Sequence, residues 1–368
     1  MTLALEMLLP HIEGFCLHCR AGFENELQAE FDYRTRTTSL QGNFSALVPG
    51  LLLWSGSCTA PLAERNLQLL NFLDHCWPQW IFARQCSAVF ATLQDIDTSD
   101  RISALLNALP PYLKVSQLLC ETADTNDGKS LSRLARALES RLFQGLQVRD
   151  HWQKTSPWRL HLIFISGQHI LLGLSRLHSA SPWPGGVPRL KMPARAPSRS
   201  TLKLDEALQV FLPPEEHSRL LKPGSSVVDL GAAPGGWTWQ MVQRGLLVTA
   251  VDHGLMQAEL MQSGMVEHLK ADGFIYRPRQ RVDWMLCDMV EQPYRIAQLV
   301  ALWVQFNLAK AIIANLKLPM KKRWDEVQLC QDIIRQALRK HRPDARFYAR
   351  QLYHDREEIT IAILPPSG

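Results

Sequence analysis

The run Asp229-Leu230-Gly231-Ala232-Ala233-Pro234-Gly235-Gly236-Trp237 follows an apolar Val227-Val228 pair and opens onto a helical pattern. Glycines are needed where a chain turns sharply between strand and helix and must approach a ligand closely. The Gly-x-Gly-x-x-Gly spacing of a pyrophosphate cradle is absent, and Pro234 removes an N–H that a phosphate would use. A cofactor without phosphates fits better. S-adenosylmethionine is such a cofactor, and its amino-acid end can rest on the turn. Asp252 lies 21 residues after Gly231, at the end of the next apolar run, where an acid can accept hydrogen bonds from both ribose hydroxyls. It can equally cap the helix that follows. Asp272, in Ala271-Asp272-Gly273, stands where an acid could meet an adenine amino group, although Asp-Gly is also an ordinary turn.

The strand 282–287 runs into Asp288-Met289-Val290. The Asn/Asp-Pro-Pro-Tyr of enzymes that methylate an exocyclic amine is missing. So is the Pro-Cys of those that attack a pyrimidine carbon, and Cys287 reads as a small core residue whose side chain alternates away from that of Asp288. Four charged residues remain: Lys203, Asp288, Lys317 and Glu358. Asp288 and Lys317 end successive parallel strands, at the carboxyl edge where ligands bind. Glu358 begins an antiparallel strand, which places it at the same edge. Lys203 comes from the segment entering the domain. Singly, each is explained as well by a surface ion pair. Together, two lysines and two acids suit deprotonation of a ribose 2′-hydroxyl. An ordinary lysine, with a pKa of about 10.4, is a poor base at neutral pH. Burial or a second ammonium would lower it and the acids would raise it, so residue types alone leave the net sign open.

The elements that must position these groups follow from the hydrophobic pattern. Strand and helix alternate downstream of residue 200: strands at 226–230, 247–251, 282–287, 311–316, 346–352 and 358–364, with helices at 236–244, 255–263, 295–307 and 325–340. This predicts an α/β, Rossmann-like domain with a seven-stranded, mostly parallel sheet. Only five residues separate the last two strands, so they pair antiparallel. Upstream the pattern is α+β, and predicts two small units, 14–74 and 75–178. Strands are expected at 14–20, 46–54, 80–93 and 115–121 and as a 160–165/170–174 hairpin. Helices are expected at 23–31, 62–73, 101–109 and 129–146. Residues 179–199, rich in Pro, Ser and Gly, read as a linker, and 1–13 as an N-terminal extension.

Composition bounds the class. The 368 residues, 46% hydrophobic and 20% charged, suffice for two or three packed domains and argue against disorder. No apolar stretch is long enough to span a membrane, and 1–15 lacks the basic start of a signal peptide. The eight cysteines form no framework. Cys16 and Cys19 make a lone Cys-x-x-Cys without a second pair, so no metal site is expected and reduced thiols of a cytoplasmic protein are. The net charge is +5, but from His151 to Leu204 there is no acid, while Lys154, Arg159, Arg176, Arg189, Lys191, Arg195, Arg199 and Lys203 fall there. Such a segment favours a polyanion such as RNA.

The chain resembles the Lys-Asp-Lys-Glu ribose 2′-O-methyltransferases, and most closely the bacterial 23S ribosomal RNA (cytidine 2′-O) methyltransferase M family. The resemblance is carried by 23–26, 81–85, 123–126 and 188–191. It is strongest in 196–204, 229–238, 287–291, Asn315-Leu316-Lys317-Leu318-Pro319-Met320 and Arg350 to Glu358. It implies a ferredoxin-like unit (14–74), a THUMP RNA-binding domain (75–178) and a methyltransferase domain (200–368). It implies cofactor contacts at Ser200, Ala233, Pro234, Gly235, Gly236, Asp252, Asp272 and Asp288. Lys317 would be the proton acceptor, with Lys203, Asp288 and Glu358 completing the tetrad. Glu358 is preferred to Glu357 because it directly precedes the Ile-Thr-Ile-Ala strand. The implied substrate is a cytidine in the peptidyl-transferase region of 23S rRNA, met before the large subunit is fully assembled, by a monomer. A base-modifying RNA methyltransferase and a non-catalytic RNA-binding assembly factor remain the alternatives.

Overall fold

The computed structural model describes residues 11–57 and 62–367. It divides into two units, the first ending at Pro188 and the second starting at Arg189. Residues 1–10 of the expected extension lie outside the described residues.

The first unit is one continuous sheet. Its strands are β1 (Gly14–His18), β2 (Gln41–Val48), β3 (Leu51–Ser57), β4 (Gln85–Leu93), β5 (Gln117–Thr122), β6 (Trp158–Phe164) and β7 (Ile170–Arg176), in the order β2-β3-β1-β4-β7-β6-β5. Helices α1 (Glu24–Thr35), α2 (Leu62–Cys76), α3 (Arg101–Asn107) and α4 (Asn126–Val148) connect them. The segment β1-α1-β2-β3-α2-β4, with antiparallel order β2-β3-β1-β4, has ferredoxin-like topology. Its fourth strand, β4, lies beyond residue 74. The expected division at 74/75 therefore cuts through this motif. The β4–β7 ladder then joins both halves into a single sheet. The single strand expected at 46–54 is a β2–β3 hairpin turning at Pro49-Gly50, a turn signal inside the apolar run.

The supposed linker also divides. Ser179, Ala180, Ser181 and Val187 are buried in the first unit. The Gln85 amide holds the backbone there, accepting from Ser181 N at 2.9 Å and donating to the Ser181 and Trp183 carbonyls at 3.1 Å. Proline and glycine excluded helix and central strand, as expected, but not burial. Of the eight bases in the acid-free segment, Arg159 is buried and bonds Gln117 and the Ala180 carbonyl, and Arg176 pairs with Asp74. Lys154, Arg189, Lys191, Arg195 and Arg199 are exposed.

The second unit contains α5 (Thr201–Phe211), α6 (Pro214–Leu220), β8 (Ser226–Leu230), α7 (Gly236–Val242), β9 (Leu247–Val251), α8 (Ala258–Met261) and β10 (Val266–Leu269). It continues with β11 (Val282–Cys287), α9 (Pro293–Gln305), β12 (Ala309–Lys317), α10 (Arg323–His341), β13 (Arg346–Arg350) and β14 (Glu358–Leu364). The sheet order is β10-β9-β8-β11-β12-β14-β13, parallel from β10 to β12. β14 runs antiparallel to both β12 and β13. This is the predicted Rossmann-type arrangement. Strands β8, β11 and β12 are mostly apolar and buried along nearly their whole length, as expected of central parallel strands. α10 carries Asp325 and Glu326 in its first turn and Arg339, Lys340 and His341 in its last, complementing the helix dipole. Three elements escape the periodicity reading: α5, the short α6 and β10. α5 buries Leu204, Ala207, Leu208 and Phe211, a helical spacing overlooked behind the proline-rich run. β10 is an edge strand in which Glu267 and His268 interrupt the apolar pattern.

Candidate active site

β8, β11 and β12 end side by side, and the predicted groups gather there. After Leu230 the chain enters the glycine turn with φ +77° at Gly231 and +115° at Gly235, a backbone region that side chains avoid. A Cβ on Gly231 would lie 2.7 Å from Met289, and one on Gly236 would strike the hydroxyls of Ser198 and Ser200. The N-terminus of α7 is thus pressed against Ser200, whose hydroxyl is 2.7 Å from that of Ser198. Asp252, at the end of β9, accepts from Ala233 N at 3.0 Å and Gly254 N at 2.7 Å. Both its oxygens are anchored, each with a further lone pair available. Asp272 is exposed and accepts from Phe274 N at 2.8 Å through one oxygen only.

Beneath the turn lies Asp229, fully buried. Thr238 donates to one of its oxygens at 2.6 Å, and the other has no hydrogen-bond partner among the described residues. Burial, with added repulsion from Asp288 and Asp252, pushes its carboxyl up to about 7. A glycine cradle with no room for side chains, over a buried unpartnered carboxyl oxygen, fits the zwitterionic end of S-adenosylmethionine and repels a phosphate.

Lys203, Asp288, Lys317 and Glu358 do converge. Lys317 Nζ donates to Asp288 Oδ1 at 2.5 Å and also to Glu358 Oε2. Lys203 pairs with Glu358 Oε1 and stands 3.6 Å from Asp288 Oδ2. The β12–β14 ladder explains part of this, since Lys317 and Glu358 are direct cross-strand partners. Glu357 points elsewhere and accepts from Arg323 at 2.5 Å. Burial opposes the Lys317 ammonium, but Asp288 and Glu358 outweigh it and raise the Lys317 pKa above the ordinary lysine value. Cys287 is buried, which pushes its thiol up to about 12, so it is not poised as a nucleophile. From below, Asn315 donates to Asp288, and Thr360 and then Asp355 follow it into the core. Sequence reasoning missed them. Alternation along β12 offered the one signal, because Asn315 shares a face with Lys317 and interrupts the apolar run from Ala311 to Leu316.

Two family models match the chain: the FtsJ-like methyltransferase over residues 196–361, and the N-terminal part of ribosomal RNA large subunit methyltransferase M over residues 100–176. Ribosomal RNA large subunit methyltransferase M of Xanthomonas oryzae pv. oryzae (strain PXO99A) is 44% identical over 355 residues, 95% of this chain and 99% of that protein. The chain belongs to this family. The protein of the same name from Xanthomonas campestris pv. campestris (strain B100) matches to the same extent. The chain is accordingly a methyltransferase that uses S-adenosylmethionine, as the glycine turn predicted. Among solved structures, a fainter likeness is to Aeropyrum pernix fibrillarin, at TM-score 0.32 and 14% identity over 55% of this chain and 81% of that one. No helix among the described residues is long and apolar enough to cross a membrane.

Proposed function

We propose that this enzyme methylates the ribose 2′-oxygen of a cytidine in the peptidyl-transferase region of 23S rRNA. It acts in the cytoplasm, as a monomer, on a large subunit not yet fully assembled. The observation that carries the reaction type is the meeting of Lys317 with Asp288 and Glu358, and of Lys203 with Glu358, at the sheet edge that bears the glycine turn. The relatives' name supports ribosomal RNA as substrate.

S-adenosylmethionine, when bound, supplies an electrophilic methyl group on a sulfonium. Ser200, Ala233, Pro234, Gly235, Gly236, Asp252, Asp272 and Asp288 are the residues that would hold it. Lys317 Nζ would take the proton of the 2′-hydroxyl. Lys203, Asp288 and Glu358 fix the amine, and orientation supplies most of the acceleration. The carboxylates that position Lys317 also retain its proton. The neutral amine is a minor form at neutral pH, and the proton it takes up passes to solvent before the next turnover.

Incubation of undermethylated rRNA with labelled cofactor, followed by mapping, tests this reading. One labelled cytidine, with its 3′ linkage resistant to alkali, is expected. Methyl on a base, with the linkage still labile, overturns it.

A further inference from the structure

A chain of four side chains leads from the tetrad into the core. Asn315 Nδ2 donates to Asp288 Oδ1 at 3.0 Å. Thr360 Oγ1 lies 2.8 Å from Asn315 Oδ1 and 2.9 Å from Asp355 Oδ2. Asn315, Thr360 and Asp355 are all fully buried.

Counting protons gives this chain a direction. Asp288, flanked by two ammonium groups, is an ionised acceptor, so Asn315 must turn its amide nitrogen toward it. The Asn315 carbonyl oxygen then faces Thr360, and the single hydroxyl proton of Thr360 is committed to that oxygen. Nothing is left for Thr360 to donate to Asp355, so the bond between them requires a proton on Asp355. We infer that Asp355 is a neutral carboxylic acid, and that Asp355, Thr360 and Asn315 form a directed relay that positions the Asp288 carboxylate against Lys317.

The surroundings agree. Burial raises the Asp355 pKa well above the ordinary value, and the charges of Glu358 and Glu206 add to it. Glu206, on α5, is itself tied to the Tyr353 and His354 amides at 2.7 and 2.9 Å and to the His354 ring at 2.6 Å. It holds the turn that delivers Asp355. Leu352 N donates to Asp355 Oδ2 at 3.0 Å, and an acid hydroxyl can accept that bond while donating to Thr360. Lys203 and Lys317 both pair with Glu358.

The relay rests on the reading of Asp288 as part of the tetrad, and two experiments separate the claims. In infrared difference spectra of the full-length protein against Asp355→Asn at neutral pH, the wild type is expected to show the carbonyl band of a neutral carboxylic acid. A carboxylate band there instead overturns the inference. In single-turnover kinetics, Thr360→Val is expected to slow methyl transfer about tenfold, with cofactor affinity and KM for RNA within about twofold. Thr360→Ser is expected to restore most of the rate. A packing role predicts the reverse ranking, because Ser leaves a methyl-sized void and Val does not; Val faster than Ser overturns the relay. If Asp288→Asn leaves transfer intact, the tetrad reading fails. If that variant is inactive while Thr360→Val keeps full rate, the relay alone fails.

Discussion

The two units each carry a cluster of charged side chains in a sheet, and the clusters differ in how far they open to solvent. In the first unit, Glu121 is fully buried. It accepts from Gln85 and from Gly185 N at 2.9 Å each, and bonds the His161 ring at 2.9 Å. The other ring nitrogen of His161 meets Ser175 at 2.8 Å, and His18 stands 3.9 Å from Glu121. These residues sit on β1, β4, β5, β6 and β7 and cross-link strands that are remote in sequence. In the second unit, the side chains of Lys203, Asp288 and Lys317 keep 15–23% of their surface exposed at a strand edge. A sealed cluster has no vacancy for a substrate and stabilises the fold. A half-open cluster whose acids and amines compete for protons can do chemistry.

Breaking each cluster should have opposite consequences. Lys317→Ala should lower methyl transfer by at least about a thousandfold while cofactor affinity stays within about tenfold. Mass spectrometry of the modified rRNA and calorimetry measure the two quantities, and substantial residual transfer would remove Lys317 as the base. Glu121→Ala should cost about 3–5 kcal/mol of stability in denaturant unfolding, because it strands the His161 ring nitrogen and the Gly185 N–H, with transfer per folded molecule retained. An unfolding curve like that of the wild type would return Glu121 to the pool of functional candidates.

pH sharpens the contrast further. Burial alone would raise the Glu121 pKa, but His161, His18 and the Gly185 N–H outweigh it and hold the carboxyl down at about 2. A depressed folded-state pKa gives stability that is present above the unfolded value of about 4.3 and is lost as pH falls through the folded one. Acid titration of the unfolding free energy should therefore show a decline between about pH 4 and 2 that Glu121→Ala flattens. The tetrad should respond at the other end of the scale. The Lys317 pKa is raised, so single-turnover rates should climb about tenfold per pH unit through pH 6–9 without a plateau. A plateau near neutrality would mean that proton removal does not limit the reaction. The smallest effects belong to the exposed bases. Lys191→Ala, Arg195→Ala and Arg199→Ala should each weaken RNA binding a few-fold and lower the salt slope by about one, with stability unchanged.

Legibility in the sequence followed sequence distance. The glycine turn was readable because its restrictions are local: a strand end, two positive-φ glycines and a helix start within one short run. The tetrad was partly readable, because parallel-strand topology sends Asp288 and Lys317 to one edge whatever the packing details. Arg159 read as an RNA-binding base yet is buried, since hydrogen bonds from its guanidinium to Gln117 and Ala180 offset the cost of removing it from water. β4 read as part of a second domain because its partners, β1 and β7, lie far from it in the chain.

Sequence alone determined the methyltransferase class, the phosphate-free turn and the alternation that builds a parallel sheet. Each is a property of residue type and near-neighbour spacing. Tertiary structure decided that Glu358 rather than Glu357 meets the lysines, that Lys317 is held protonated, and that the N-terminal strands form one sheet. It also decided that Asn315, Thr360 and Asp355 support Asp288 from the core. These outcomes depend on distances between atoms tens of residues apart and on how much water surrounds them, and neither quantity is carried by the order of residues until the chain has folded.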